Sequence, residues 1–141
     1  MPRYLIDTTP LAAYLLGRTK AHTLITPLIA SREACTSLVV YGEIFEYLQG
    51  YIKSPAELAV YHTQLKALLF AGIYPFNLSF AILERYANIR RSLRGPGRPG
   101  IIGDVDTLIA ATALEYDLTV ISADSDFQRI QALHGLRLRP Y

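Results

Sequence analysis

Acidic side chains stand at both ends of one predicted helix–strand segment in the last third of the chain. Asp104 and Asp106 open a helix rich in small residues, and Asp124 and Asp126 follow the buried strand after it. In an α/β sheet, strand carboxyl ends and helix amino ends share one rim, so both acidic pairs should face the same crevice. Crowded carboxylates repel each other, and burial raises the cost, unless a cation lies between them. The spacing therefore indicates a site for a divalent cation.

Two further carboxylates are predicted to reach the same rim from the first half of the chain. Asp7 directly follows the apolar run Tyr4-Leu5-Ile6, which is typical of a buried central strand, and Glu43 lies on the helix after a second strand. Ligand sets made only of oxygen suit Mg²⁺ or Mn²⁺, which often share their shell with water and phosphate. Such an ion orients a phosphodiester and activates a water molecule. We therefore expect Asp7 and Glu43 to join the acidic pairs around one cation.

Each of these acids also has a purely structural interpretation. Asp is favoured at helix N-caps, so the acids near predicted helix starts would simply cap them, and Glu43 would face solvent. Taken one at a time, the structural interpretation is favoured by about 2:1, because caps are far commoner than sites. Taken together, acids that recur at strand ends sharing one crevice favour a site. Asp7 carries the most weight, because an isolated carboxylate after a buried run is costly.

Short apolar runs that alternate with helical patterns predict an α/β fold. Thr9 is expected to cap the first helix, with Pro10 at its first position. Ser54 is the clearest helix start, because Pro55 and Glu57 follow it as in a capping box. The predicted strands lie near residues 4–6, 35–38, 73–76, 118–122 and 136–138.

The composition fits one domain with a substantial core. The chain has 141 residues, is 51% hydrophobic, and contains no repeat or linker-like stretch. We therefore expect residues 1–141 to form a single domain, with a central, mostly parallel sheet of short strands flanked by helices. The formal charge of +2 permits an anionic partner without requiring one.

The remaining composition bears on cellular location. Cys35 is the single cysteine, so an intrachain disulfide and a thiolate metal cluster are both excluded. We expect Cys35 to be a small buried hydrophobe. The first apolar run is too short for a signal peptide or a membrane span, so the sequence predicts a cytoplasmic protein without membrane association.

These motifs resemble those of the PIN-domain family, and within it the small VapC-type toxins of toxin–antitoxin pairs. Leu5-Ile6-Asp7-Thr8-Thr9 resembles the opening strand and first acid, and Ser37 through Glu43 resembles the second motif. Asp106 through Ala113 is similar to the most recognisable helix of the family, which begins with the third acid. Ser122-Ala123-Asp124 resembles the last motif, in which the fourth acid follows a strand. The resemblance spans nearly the whole chain, and the third motif is its specific part.

The resemblance implies a metal-dependent ribonuclease with a PIN-like fold. Asp7, Glu43, Asp106 and Asp124 would hold one or two Mg²⁺ or Mn²⁺ ions, and a metal-activated water would attack the RNA phosphodiester bond. Family members are typically homodimers, silenced by an antitoxin whose tail lies across the active-site groove. A VapB-like antitoxin and a second copy of the chain are therefore the expected partners.

Asp104 and Asp126 are extra acids close to Asp106 and Asp124, so the metal ligand at each of these two motifs is uncertain by one residue. Alignment with the family motifs favours Asp106 over Asp104, and Asp124 over Asp126. The sequence also departs from the family at Thr9, where Asn or Ser is common, and at Ser122, where threonine is usual. Both departures retain hydrogen-bonding capacity.

Four residues are expected to bind the substrate. The hydroxyls of Thr8 and Ser122 stand beside site acids, where they would contact phosphate or water. Arg94 and Arg98 belong to a basic run through a Gly/Pro loop before the acidic helix, where they would position an RNA backbone. The alternative for the arginines is a solvated helix end stabilised by the helix dipole.

Two rival functions remain open. In a phosphatase of the haloacid-dehalogenase type, Asp7 would be the nucleophile, but Thr9 stands where that family needs a second acid. A non-catalytic metal-binding module that recognises a protein is the other alternative, and the retained acids argue against it.

The middle of the chain carries an aromatic stripe. Tyr47, Tyr51 and Tyr61 recur at helical spacing among leucines, and such a stripe is more often core than partner surface, by about 3:1. We therefore expect these tyrosines to pack inside.

Overall fold

Five short strands and seven helices alternate along the chain in a computed structural model that describes residues 1–141. The strands are β1 (Tyr4–Ile6), β2 (Ala34–Ser37), β3 (Tyr74–Phe76), β4 (Thr119–Ser122) and β5 (Arg137–Pro140). The helices are α1 (Thr8–Leu15), α2 (Thr19–Ala30), α3 (Leu38–Tyr51), α4 (Pro55–Ala71), α5 (Phe80–Leu93), α6 (Asp104–Glu115) and α7 (Phe127–His134). Every predicted strand is present, with its ends shifted by at most two residues.

The strands form one sheet in which every neighbouring pair is parallel. Their order is β3-β2-β1-β4-β5, so the first strand is central, as predicted. Leu5 on β1 is level with Cys35 on β2 and with Val120 on β4. The chain extends the sheet outward from β1 on one side and then returns to build the other side. The strand order therefore reverses between β1 and β4, which is where ligands bind in open α/β sheets.

Helices cover the central strands, which explains why those strands are continuously apolar. Leu5, Ile6, Val120 and Ile121 have no exposed surface, and Cys35 is equally buried. Strands buried on both faces lack the alternation of a half-exposed sheet. The α/β fold predicted from the sequence is confirmed, and the sheet is wholly parallel.

Helix α6 packs through a face of small residues. Ala110 and Ala111 are fully buried there. Thr107 and Thr112 are also buried, and each donates its hydroxyl at 2.8 Å to the carbonyl four residues earlier in the same helix. These bonds satisfy the buried hydroxyls without outside partners. This face of α6 can therefore pack against the rest of the domain without leaving a buried hydroxyl unsatisfied.

The first helix begins earlier than predicted. Asp7 occupies the cap position in extended conformation, and the N–H of Leu11 donates to the carbonyl of Asp7 at 3.2 Å. The predicted cap at Thr9 is therefore wrong by two residues. The start at Ser54 is confirmed, because its hydroxyl accepts from the N–H of Glu57 at 3.3 Å.

The prediction that the aromatic stripe is core is wrong for two of its three tyrosines. Tyr47 and Tyr51 are 47% and 53% exposed, and their rings stack with centroids 5.7 Å apart. Tyr61 is half-buried and packs against the core. The buried stripe of α3 runs through Ile44 and Leu48, and a helix turns only a limited arc towards its core. The tyrosines lie outside that arc.

No helix is both long enough and apolar enough to cross a bilayer. Cys35 is fully buried, as predicted, and burial raises the pKa of its thiol to about 12.

Candidate metal centre

The four acids predicted to form a site are all carried to the carboxyl rim of the sheet. Asp7 follows β1, Asp124 lies in the turn after β4, and Asp106 is in the first turn of α6. Glu43 lies on α3, the helix that leaves the end of β2. Because β1 and β4 are hydrogen-bonded neighbours, the acids that follow them lie at adjacent points on the rim.

Asp7 is a buried carboxylate, only 4% exposed. The hydroxyl of Ser122 donates to Asp7 Oδ2 at 2.6 Å, and the same hydroxyl oxygen accepts from the N–H of Asp124 at 2.9 Å. Burial raises the pKa of Asp7, hydrogen bonds from Ser122 and the N–H of Thr8 oppose the shift, and the charges of Glu43 and Asp124 add to it. Ser122 therefore links two site acids across neighbouring strands.

Glu43 is oriented from the other side of Asp7. The hydroxyl of Thr8 donates to Glu43 Oε1, which joins the start of α1 to α3. Glu43 is half-buried. Thr8 and Ser122, which are predicted to contact substrate, thus donate their hydroxyl hydrogens to Glu43 and Asp7, respectively.

The pKa of Asp106 is the property that best shows how closely the acids are grouped. The pKa of Asp106 is raised to about 7, chiefly by burial. The negative charges of Asp7, Asp124 and Glu43 and a hydrogen bond with the Asp124 carboxyl also raise it. A carboxyl that remains protonated near neutral pH is typical of one crowded by like charges. All four predicted acids therefore contribute to one electrostatic cluster.

The capping interpretation fails for three of the helix starts. No side-chain hydrogen bond caps α1, α6 or α7, although an acid occupies the cap position of α1 and of α7. Two of the acids accept a hydrogen bond from nearby backbone: Asp7 from the N–H of Thr8, and Asp124 Oδ1 from the N–H of Asp126 at 2.9 Å. The carboxylates at the rim are otherwise available for a ligand.

The two extra acids, Asp104 and Asp126, differ in which way their side chains point. Asp104 turns away from the cluster: Arg90 pairs with its Oδ1, and the hydroxyl of Tyr86 donates to the same oxygen at 2.9 Å. Asp126 turns towards it, because carboxylate oxygens of Asp106, Asp124 and Asp126 all lie within 4.8 Å of one another. The family motifs placed Asp126 outside the ligand set, but its carboxylate belongs to this close group, whereas those of Asp7 and Glu43 do not.

The donor set fits a hard divalent cation. Every nearby ligand atom is a carboxylate oxygen, which Mg²⁺ and Mn²⁺ prefer. Arginine ion pairs occur elsewhere, and none involves Asp7, Glu43, Asp106 or Asp124. Asp126 pairs with Arg129 at 3.7 Å, but the negative charges of these four acids have no protein cation to balance them. A bound metal ion would supply that balance.

The predicted basic residues lie before α6. Arg94 lines a shallow cavity of about 260 Å³ together with Tyr86, Arg90 and Arg91. Arg98 lies exposed in the loop between α5 and α6, where its N–H donates to the carbonyl of Gly95 at 3.2 Å. Arg90 is committed to Asp104, while Arg94 and Arg98 have no carboxylate partner. Their role with a substrate stays a prediction.

Solved structures of similar fold come from toxin–antitoxin complexes. VapBC2 from Rickettsia felis, bound to a DNA fragment from its promoter, is 20% identical with a TM-score of 0.77, and the match covers 98% of both chains. DNA-bound VapBC from Salmonella typhimurium is 15% identical with a TM-score of 0.77, covering 99% of this chain and 98% of that one. FitAcB from Neisseria gonorrhoeae is 22% identical with a TM-score of 0.74, covering 96% and 95%.

Because these structures are only 15–22% identical to the chain, they show that it shares their fold and nothing more. No curated protein sequence matches the chain significantly. The sequence profile of the PIN domain matches residues 4–133, a stretch that begins at β1, ends within α7 and contains all four predicted acids. The resemblance inferred from the motifs is therefore confirmed, and the chain belongs to the PIN domain family.

Proposed function

We propose that the protein is a Mg²⁺- or Mn²⁺-dependent endoribonuclease that acts as the toxin of a VapBC-type toxin–antitoxin pair. The observation that supports this most is the state of Asp106, which is half-buried among three other carboxylates with no cationic side chain to pair with it. Membership of the PIN domain family, whose members are generally nucleases, supports the same chemistry.

In this proposal the chain holds and orients the reacting groups. A Mg²⁺ or Mn²⁺ ion, when bound, supplies the Lewis acidity that activates water and stabilises charge on the phosphodiester. Asp7, Glu43, Asp106 and Asp124 would hold the ion, and Asp126, whose carboxylate lies within 4.8 Å of those of Asp106 and Asp124, would join them. The hydroxyls of Ser122 and Thr8 keep the Asp7 and Glu43 carboxylates in place.

The exposed arginines before α6 complete the proposed substrate site. Arg94 and Arg98 carry unpaired positive charge close to the start of the helix that bears Asp106. Contacts from such side chains to phosphate fix the register of a nucleic acid without selecting its sequence. We assign them the RNA backbone on either side of the bond that is cut.

The proposed partners follow from the relatives of similar fold, which are complexes of VapBC and FitAcB. We propose a VapB-like antitoxin and a homodimer for this chain, acting in the cytoplasm, where cellular RNA is found. A haloacid-dehalogenase phosphatase is not supported, since the chain is a PIN domain and Thr9 replaces the second acid which that mechanism needs.

Cleavage of a panel of tRNA, rRNA and mRNA tests the activity. The wild-type protein should cut RNA in Mn²⁺ or Mg²⁺ and lose activity in EDTA. Asp7→Asn and Asp106→Asn should each cut at least about 100-fold more slowly, which corresponds to about 3 kcal/mol of lost transition-state stabilisation. Glu84→Gln, at an exposed acid on α5, is the matched control and should behave as wild type.

Two results would contradict the proposal: full cleavage in EDTA, or cleavage by Asp106→Asn at the parent rate.

The toxin role has its own test in cells. Expression should arrest growth, and an antitoxin encoded beside the toxin should restore it, whereas an inert binding module would do neither.

A further inference from the structure

The acidic centre has a cavity on its β5 side. This cavity of about 290 Å³ lies where β4 and β5 end beneath α7, and Ser122 and Asp124 form part of its wall. A group bound there would therefore touch two residues of the proposed catalytic centre. The volume is near the lower end of the roughly 300–1,000 Å³ typical of small-molecule sites, which suits one nucleotide unit.

One wall of the cavity offers amide groups from a single helix face. Gln128 and Gln131 both line it, and residues three apart on a helix project side by side. Both side chains are exposed to solvent, so their amides are accessible. Each amide offers two N–H donors and an acceptor oxygen, which is the pattern that proteins use to bind the edge of a nucleobase.

Two cationic side chains near the same cavity lie over aromatic rings. Arg139 lines the cavity, and its guanidinium lies 5.5 Å from the ring centroid of Tyr4. The ammonium of Lys20 lies 4.5 Å from the ring centroid of Tyr141, which also lines the cavity. Neither cation forms an ion pair with a carboxylate. An aromatic ring positions a cation without neutralising it, so both remain able to bind an anion.

We propose that this cavity binds the nucleotide next to the bond that is cut, so that cleavage depends on the identity of that base. Gln128 and Gln131 contact the base edge, and Arg139 and Lys20 hold the adjoining phosphate. The proposal rests on the proposed ribonuclease function and narrows its substrate to single-stranded RNA, because base edges are free only where bases are unpaired.

The test uses four short single-stranded oligoribonucleotides that share a mapped cleavage site and differ only in the base beside it. The wild-type protein should cut them with unequal kcat/KM. Gln128→Ala/Gln131→Ala should reduce the ratio between best and worst substrate by about tenfold. Gln131→Glu keeps the shape, removes the donors and should also lose the preference. Arg139→Ala should raise KM for all four alike, since a phosphate contact carries no sequence information.

Gln64→Ala, at an exposed glutamine on α4, is the matched control and should leave all four values unchanged. Fluorescence anisotropy with the Asp106→Asn protein gives a second readout, because it measures base-dependent affinity without cleavage. In that background, the two glutamine substitutions should again equalise the four affinities.

The outcomes separate the two proposals. If the wild-type protein cuts RNA and the double glutamine variant keeps its base preference, the cavity assignment is wrong and the nuclease stands. If nothing is cut but base-dependent binding disappears in the double variant, the nuclease proposal fails and the cavity is a base-binding site without a role in cleavage. If the double variant loses binding to a protein partner with its base preference intact, the cavity is a protein-docking surface and the assignment is overturned.

Discussion

The hydroxyl of Ser122 has two simultaneous roles at the rim. It donates to the buried carboxylate of Asp7 and accepts from the backbone of Asp124, so it fixes the spacing between two acids on adjacent strands. Groups that orient metal ligands in this way commonly affect metal affinity 10–100-fold when removed. Both contacts use only the hydroxyl group, which the threonine usual at this position in VapC-type toxins also has.

The first prediction concerns this hydroxyl. Ser122→Ala should raise the Mn²⁺ concentration needed for half-maximal RNA cleavage by about 10–100-fold, because Asp7 loses its donor. Ser122→Thr retains the hydroxyl and should keep the parent metal requirement. A metal titration of cleavage rate measures both. An alanine variant with the parent midpoint would show that Ser122 does not support the ligand set.

The second prediction concerns the stability of metal-free protein. The pKa of Asp106 is raised from 3.8 to about 7 by burial and neighbouring acids, so the folded protein holds this proton more tightly than the unfolded chain does. Stability from this group is therefore full below the unfolded pKa and is lost as the pH rises from about 4 to about 7. The asparagine of Asp106→Asn does not ionise, so the variant should not lose stability in this way as the pH rises.

Thermal unfolding in EDTA checks the sign. At pH 5 the variant and the wild type should have similar Tm values, and at pH 8 the variant should be the more stable. A difference in Tm that does not change between these pH values would show that Asp106 titrates normally.

At the scale of elements, the start of α6 is fastened to α5 by Asp104. Arg90 and Tyr86 both contact the Asp104 carboxylate from α5. Asp104 and Asp106 are two residues apart on a helix, so their side chains point to different faces. The same turn thus presents one acid to α5 and one to the metal centre.

The third prediction uses this division. Asp126→Asn should weaken Mn²⁺ affinity by about tenfold, because its carboxylate lies within 4.8 Å of those of Asp106 and Asp124. Asp104→Asn should leave the affinity unchanged and lower stability by no more than about 1 kcal/mol, as for a largely exposed ion pair. Isothermal titration and thermal melts measure the two effects. Equal effects on metal affinity would contradict the assignment.

The elements show what the sequence could and could not predict. The buried strands were recognisable because Leu5, Ile6, Val120 and Ile121 form uninterrupted apolar runs, and the parallel order followed from the alternation with helices. Whether Asp104 or Asp126 joins the other acids could not be predicted, because the answer depends on the contact of Asp104 with Arg90, fourteen residues away, and on the turn after β4. The exposure of Tyr47 and Tyr51 depends on how α3 is rotated, which leucine spacing alone left ambiguous.

At the scale of the whole molecule, most of the acids of the proposed metal site are not paired with arginine, whereas several acids elsewhere are. The arginine ion pairs involve Glu33, Glu115, Asp104, Asp126 and Asp117, and so leave the other rim acids without compensation. The net charge is nevertheless +2, so the chain as a whole is slightly positive although its acidic site is concentrated at one rim. A polyanion attracted to the surface would meet the acidic centre productively only when a divalent cation bridges the two.

The parallel sheet also determines when the centre can exist. Asp7 and Ser122 are hydrogen-bonded although 115 residues separate them, and β1 has no partner on that side until β4 has been made. Loop closure over such a span comes late in folding, after most of the chain is available. A nascent chain that has not yet delivered Thr119 to Ser122 from the ribosome carries three of the four acids without a frame to hold them. A translation product that ends before β4 therefore lacks the assembled acidic centre.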